Sequence, residues 1–438
     1  MLHRRLAELE KKGTPIRIGI VGCGRMGAGV INQIAQCQGL RIVAAADMRR
    51  DHAEKVVRES GRKTAVCVTD DLATATSAIA RGETVVSGNG RLIPQLPVDM
   101  VMEATGIPES GARIAYDAIL QRKHVVTLNV EADAVVGPIL TRLANNAGVL
   151  YSVILGDEPG TLGNMYEWAV SIGLEVVVAA KGPMRPIDWN ANPDSVGAEA
   201  AKLGLNPKIL ASFRDGSKHC VEMCVVSNGT GLVPDVRGTH AQPMSLDEIP
   251  RKMRLKKDGG ILSRTGVVEM TPPVLKPDGT VDSDRSVAPG VYLVVTSPHP
   301  QIRADFKYLL LGDGPYYVLH RPYHLCAIEA PYTVARVVLH GDVTLNCIGA
   351  PVSEVVTIAK RDLRAGEQIE GSGGAQITGQ IDKHEICRSE NLLPLGLSYD
   401  VVLKRDVAKG KALTFDDVAL ADDLFIYQLW RMQQMTLG

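Results

Sequence analysis

The first 155 residues alternate between short apolar runs and stretches whose apolar positions recur with helical spacing. Ile16 to Val21 forms one run and stops at a glycine; Ile31, Ile34 and Ala35 then follow at a helical period. Ile42 to Ala46 ends at Asp47. Val98 to Glu103, Val125 to Leu128 and Val149 to Leu155 supply later strands, with helical stretches between them. The alternation predicts an α/β domain, a doubly wound parallel sheet with crossover helices. Residues 83–93 break the rhythm, because two β-prone pieces flank Ser87-Gly88-Asn89-Gly90 and predict a hairpin.

After Gly156 the pattern changes to α+β. Helices are expected around 162–172, 197–203 and 218–228, a Pro/Gly/Asp-rich surface loop over 272–284, and β-like pieces at Val291 to Thr296 and Ile302 to Leu311. Near the C-terminus Lys360-Arg361-Asp362-Leu363-Arg364-Ala365-Gly366 is echoed by Lys404-Arg405-Asp406-Val407-Ala408-Lys409-Gly410, each after an apolar strand. A repeated strand-turn unit predicts a small β-rich module with internal pseudo-symmetry. The expected domains are therefore 1–155, with 325–350 returning to it, then 156–324 for substrate, catalysis and dimerisation, and 351–438 as the β-rich module.

Composition narrows the function classes. A chain of 438 residues is too long for a single core. Its formal charge of -1 gives no field that would gather nucleic acid or an anionic membrane. The eight cysteines are scattered without a CxxC pair, which argues against a disulfide framework or a structural zinc; Cys220 and Cys224, one helical turn apart, read as buried thiols. Met1 to Gly13 is charged and helix-prone, and no run reaches the roughly 18 apolar residues of a membrane span. The expectation is a reduced, cytoplasmic protein that acts on a small molecule.

Gly22-Cys23-Gly24-Arg25-Met26-Gly27 fits G-x-G-x-x-G at the junction of a strand and a helix. There the first glycine permits the turn, the second lets backbone approach a pyrophosphate, and the third packs helix on strand. Free N–H groups at the helix start suit the phosphates. Asp47 ends the next strand, where a ribose-reading carboxylate belongs. Together these make 1–155 a Rossmann domain for a nicotinamide dinucleotide. Asp47 suits the 2′-hydroxyl of NAD(H), whereas Arg49 and Arg50 suit the 2′-phosphate of NADP(H), which the reading prefers.

Candidate reacting groups cluster later. Asp157 and Glu158 follow a strand, Lys181 ends the run Val176 to Ala180, and Asp215 and Lys218 open a helix on which Glu222 lies one turn further. Carbonyl reduction needs a group that polarises the oxygen and protonates the alkoxide, a role for Lys181 with Asp215 to orient it or relay the proton. Asp157, Glu158 and Glu222 are candidate oxygen ligands for Mg²⁺ or Mn²⁺. His320, Arg321 and His324 form a candidate anion clamp. Each has a plainer reading: a strand-end lysine, a helix cap at Asp215, a surface ion pair between Lys218 and Glu222, and an interface cluster at 320–324.

Residues 19–155 resemble the cofactor domain of homoserine dehydrogenases, through Glu103-Ala104-Thr105-Gly106 and Lys123-His124-Val125-Val126 followed by Asn129. The whole chain is similar to homoserine-dehydrogenase-like oxidoreductases with a C-terminal SAF domain. That resemblance rests on Gly156-Asp157-Glu158-Pro159-Gly160, Ala180-Lys181-Gly182, Asn206-Pro207-Lys208, Asp215-Gly216-Ser217-Lys218, Arg321-Pro322-Tyr323-His324 and the two Lys-Arg-Asp elements. It implies cofactor contacts at Thr105, Gly106 and Asn129, a catalytic part for Lys208, and a homo-oligomer. The branch it most resembles, the deoxyxylulose-phosphate reductoisomerase-like enzymes, implies conversion of 1-deoxy-D-xylulose 5-phosphate to 2-C-methyl-D-erythritol 4-phosphate with NADPH and a divalent metal. Val130 stands where homoserine dehydrogenases carry a lysine after the asparagine, which argues against homoserine as substrate. Oxidation of a sugar acid, or of a homoserine-like hydroxy acid, with NAD(P) remains an alternative, as does a nicotinamide-binding sensor without turnover.

Overall fold

The computed structural model describes residues 1–437. They form two compact units, each assembled from separated stretches of chain. One comprises Met1–Gly160, Leu325–Gly349 and the chain from Gln428 onward; the other comprises Thr161–His324 and Ala350–Tyr427. Among the described residues no helix is long and apolar enough to cross a membrane.

The first unit is built on seven parallel strands: β1 (Ile16–Val21), β2 (Leu40–Ala46), β3 (Val66–Val68), β4 (Thr84–Ser87), β5 (Met100–Glu103), β6 (His124–Thr127) and β7 (Tyr151–Val153). Their order is β3-β4-β2-β1-β5-β6-β7. Strands buried on both faces must be apolar throughout, as β1 and β5 largely are. The hairpin expected over 83–93 does not form. Its first piece is β4, parallel to β2 and β3, and its second is a 3₁₀ turn, Gly90–Gln95. Asp70 decides this, accepting from Ser87 Oγ at 2.7 Å and Gly88 N at 2.8 Å, so the chain leaves the sheet after β4. The helix Cys326–His340 returns to this unit and packs beside the helix Arg25–Ala35, where a Cβ on Gly29 would lie 2.8 Å from Ala327.

The second unit carries a five-stranded mixed sheet of β8 (Glu175–Lys181), β9 (Val233–Pro234), β10 (Val267–Met270), β11 (Val291–Thr296) and β12 (Tyr317–Arg321), in the order β12-β11-β8-β10-β9. The β-like reading of 302–311 is overturned: Pro300–Tyr308 is a helix, started by Pro300 at its first turn and by His299 Nδ1 accepting from Gln301 N at 3.2 Å. The same unit includes an antiparallel pair of β13 (Ser353–Ala359) and β15 (Ile377–Lys383), and a small sheet of β14 (Gln368–Ile369), β16 (Val401–Leu403) and β17 (Val418–Ala419).

The echoed heptapeptides are related by reciprocal hydrogen bonds. Asp362 accepts from Lys409 N at 2.8 Å and Asp406 from Ala365 N at 2.9 Å. Gly366 N donates to Leu403 O and Gly410 N to Ala359 O, both at 2.8 Å. Every pair is matched by one displaced by the repeat spacing, so the two copies exchange equivalent bonds.

Candidate active site

In the first unit the strand-to-helix turn has the shape its glycines require. Gly22 adopts φ 95°, and a Cβ there would lie 2.5 Å from the backbone of Ala104; a Cβ on Gly27 would lie 1.8 Å from Gly22 O. A Cβ on Gly24 would meet nothing within 4 Å. The first and third glycines are thus fixed by packing, while the second leaves backbone open at the N-terminus of Arg25–Ala35, with Arg25 and Met26 exposed on its first turn. That open cradle fits a dinucleotide pyrophosphate.

Asp47 stands at the end of β2 with both oxygens engaged: Oδ2 accepts from Cys23 N and Oδ1 from Arg49 N, each at 2.9 Å. His52 Nε2 lies 3.0 Å from Cys23 O. The Arg49 side chain is 72% exposed, and Arg50 lies 3.6 Å from Asp70. At the end of β5 Thr105 and Gly106 form the next turn, with Gly106 at φ 68°. Asn129 caps the helix Val130–Ala147 and donates to Thr105 Oγ1 at 3.3 Å and Ile107 O at 3.0 Å. Asp157 and Glu158 lie where β7 gives way to the helix Glu158–Ser171, and Cys326 Sγ is 3.7 Å from Asp157 Oδ1.

The second unit gathers its candidates around one helix, Ser217–Thr230, which is buried on nearly every side. It packs on β8 and β10 and against the antiparallel β13–β15 pair. Lys181, at the end of β8, is 1% exposed and forms an ion pair with Glu222, also 1% exposed. His219 Nδ1 lies 3.7 Å from the same Glu222 oxygen. A lysine and a glutamate with so little access to water must pair, since either charge alone would be costly there.

Asp215 is held from elsewhere. Its carboxylate meets Lys360 Nζ at 2.6 Å, and that ammonium also donates to Ala191 O and Gly374 O. Burial pushes the Asp215 carboxyl up to about 6 in spite of the lysine, which pulls the other way. Lys208 donates to Glu370 O at 2.5 Å and is partly exposed, as is Lys218. His324 Nδ1 lies 2.8 Å from Pro289 O, His320 Nε2 3.3 Å from Val287 O, and the Arg321 guanidinium stacks 4.8 Å from the Tyr323 ring. Burial holds His320 below the usual histidine range, favouring a neutral ring.

Sequence reasoning missed Glu103 and Lys360 as members of these clusters. The lysine stands in the repeat, but nothing in the pattern separates it, 6% exposed, from its exposed counterpart Lys404. It also missed His240, whose ring and backbone N both meet buried Glu269 while Thr239 and Ala241 on either side take positive φ.

Residues 22–153 match the family described as homoserine dehydrogenase, NAD binding domain, and residues 156–330 match oxidoreductase DRL, catalytic domain. No curated protein matches the chain. Among solved structures, a probable dehydrogenase from Thermotoga maritima is 13% identical, with a TM-score of 0.40 over 75% of this chain and 90% of its own. A putative myo-inositol dehydrogenase from Sinorhizobium meliloti 1021 is 12% identical, with a TM-score of 0.37 over 75% and 90%. A scyllo-inositol dehydrogenase from Lactobacillus casei, solved with NAD(H) and scyllo-inositol, is 13% identical, with a TM-score of 0.31 over 70% and 69%.

Proposed function

We propose that this NAD(P)-dependent oxidoreductase, whose residues 22–153 match a homoserine dehydrogenase NAD binding domain and residues 156–330 an oxidoreductase DRL catalytic domain, is an NADPH-dependent reductoisomerase of 1-deoxy-D-xylulose 5-phosphate. The observation that carries this reading is the buried Lys181–Glu222 pair inside the DRL catalytic segment. The substrate skeleton rearranges to an aldehyde, and reduction with uptake of one proton gives 2-C-methyl-D-erythritol 4-phosphate. Bound NADPH supplies the hydride. Lys181 Nζ donates a hydrogen bond to the carbonyl oxygen and delivers the proton to the alkoxide, while Glu222 aims the ammonium. Arg321 and His324 take the substrate phosphate. A divalent ion on carboxylate oxygen belongs to the same proposal, with Asp157 and Glu158 among its candidate ligands.

The preference for NADPH is supported by Asp47, whose oxygens are occupied by backbone donors, and by the exposed Arg49 beside it. Arg49 favours a 2′-phosphate, while the engaged oxygens of Asp47 leave it less free to hold a bare ribose hydroxyl.

Purified protein with NADPH, Mg²⁺ and deoxyxylulose phosphate is expected to lose the reduced-nicotinamide absorbance, and chelation to slow that loss. Lys181→Ala should lower kcat by roughly a hundredfold or more with NADPH affinity unchanged, as expected for removal of a general acid. Turnover of sugar acids with NAD⁺ and none of deoxyxylulose phosphate would replace this substrate with the other class.

A further inference from the structure

Glu103 is a carboxylic acid at the centre of the cofactor sheet, in register with Val21 of β1 on one side and Thr127 of β6 on the other. It is 1% exposed. Its Oε1 accepts from Thr105 N at 2.8 Å and from Thr105 Oγ1. That hydroxyl in turn accepts from the Asn129 amide, which also holds Ile107 O. Glu103 Oε2 is buried and makes no hydrogen bond of good geometry, although the Asn129 amide also acts on this carboxylate. Gly111 makes room for it, since a Cβ there would lie 2.9 Å from Oε2 and 2.3 Å from the Asn129 amide nitrogen. The residues after Glu103 in turn support the phosphate loop: the Gly22 backbone rests on Ala104 and Thr105.

We propose that Glu103 is a positioning residue of the dinucleotide site, fastening the Thr105–Ile107 turn and Asn129 beneath the phosphate loop, and that cofactor binding is linked to its protonation. The inference rests on the dinucleotide reading of Gly22 to Gly27. A buried acid under an anion cradle carries a cost, because its charge is desolvated there and opposes the pyrophosphate. Burial pushes this carboxyl up to about 7, against the Thr105 and Asn129 hydrogen bonds that pull it down, so both forms are populated near neutrality. The protonated form leaves the cradle without a fixed negative charge beneath it. Binding of a pyrophosphate dianion therefore raises the carboxyl further, and affinity falls as pH rises through the free enzyme's value.

The titratable groups around it are few. Glu131 and Asp133 open the helix Val130–Ala147, Tyr151 lies on β7, and Glu109 lies in the first turn of Pro108–Leu120. From the far side of the loop His52 faces Cys23 O. Glu131 raises Glu103, the same direction as burial.

NADH is the probe, because its pyrophosphate keeps its charge from pH 6 to 8.5. Titration of the full-length protein by nicotinamide fluorescence should show Kd rising about sevenfold across that range, as follows when the carboxyl holds its proton about ten times more tightly in the complex than in the free protein. Glu103→Gln, which cannot ionise, should bind with no slope across the same range. Thr105→Val should weaken binding while keeping the slope. A purely structural glutamate would lower Tm and leave the slope untouched. Isothermal titration of the wild type near pH 7, in two buffers of different ionisation enthalpy, should report net proton uptake without any variant. A flat wild-type profile, no proton uptake, or an unchanged slope in Glu103→Gln overturns the proposal. Failure of the wild type to bind either NADH or NADPH overturns the dinucleotide reading and this inference with it.

Discussion

At the scale of single residues, the second unit separates two buried lysines that the sequence presents alike. Lys181 pairs with Glu222 and Lys360 with Asp215, so each ammonium meets one carboxylate in a place with almost no water. Asp215, which its position suggests as a helper for Lys181, instead accepts from Ser217 N at 2.9 Å and anchors the helix start against Lys360. Removing one member of a buried pair leaves the other uncompensated, at a cost of about 3–5 kcal/mol, whereas apolar replacement of both is far milder. Chemical denaturation should therefore show Lys181→Met and Glu222→Gln each strongly destabilised and Lys181→Met/Glu222→Leu closer to wild type. Additive losses would mean that the pair is not the coupled unit the geometry describes.

At the scale of elements, burial on all sides explains why helical patterning along Ser217–Thr230 carries so little information. Its polar side chains are satisfied by tertiary partners: Asn228 Oδ1 accepts from Val352 N at 2.7 Å and Ser353 N at 3.0 Å, and Ser217 Oγ accepts from Gly379 N at 2.8 Å. A second helix, Val130–Ala147, carries Pro138 in its interior and is repaired from the far end of the chain. Gln433 Oε1 accepts from Ile139 N at 3.1 Å and its Nε2 donates to Val135 O at 3.0 Å, so the amide bridges the backbone groups beside the proline. Gln433→Ala leaves both groups buried and unpaired, and should cost about 2–3 kcal/mol in urea unfolding. A loss below about 0.5 kcal/mol, typical of surface changes, would show that water replaces the amide.

At the scale of the whole molecule, the repeat region is part of the second unit rather than an appendage. Lys360, Thr378 and Gly379 all bond to the segment that starts the buried helix, Thr378 Oγ1 donating to Asp215 O at 2.8 Å. A chain ending after Gly349 loses that cover, and with it the Gln433 bridge. Such a truncation is expected to be insoluble or without cooperative unfolding by circular dichroism. A soluble fragment with a sharp transition would contradict the shared core. The reciprocal hydrogen bonds between the two heptapeptides show what the echo in the sequence encodes: two copies that complete one another's turns. Equivalent positions nonetheless differ in burial, because the surroundings outside the repeat are not duplicated.

Local chemistry was legible from the chain alone. Glycines at 22, 24 and 27 after an apolar run, an aspartate at the end of the next, and the α/β alternation depend only on backbone sterics and hydrophobic period, which act over a few residues. The hairpin expected at 83–93 and the strand expected at 302–311 failed where two tertiary bonds to Asp70, or one cap, at His299, outweighed weak propensity. Which carboxylate meets which lysine, why Glu103 lies beneath the cradle, and how Gln433 mends a helix nearly 300 residues away were decided by folding. Those pairings are set by desolvation, which depends on what surrounds a group in space and leaves no periodic trace along the chain.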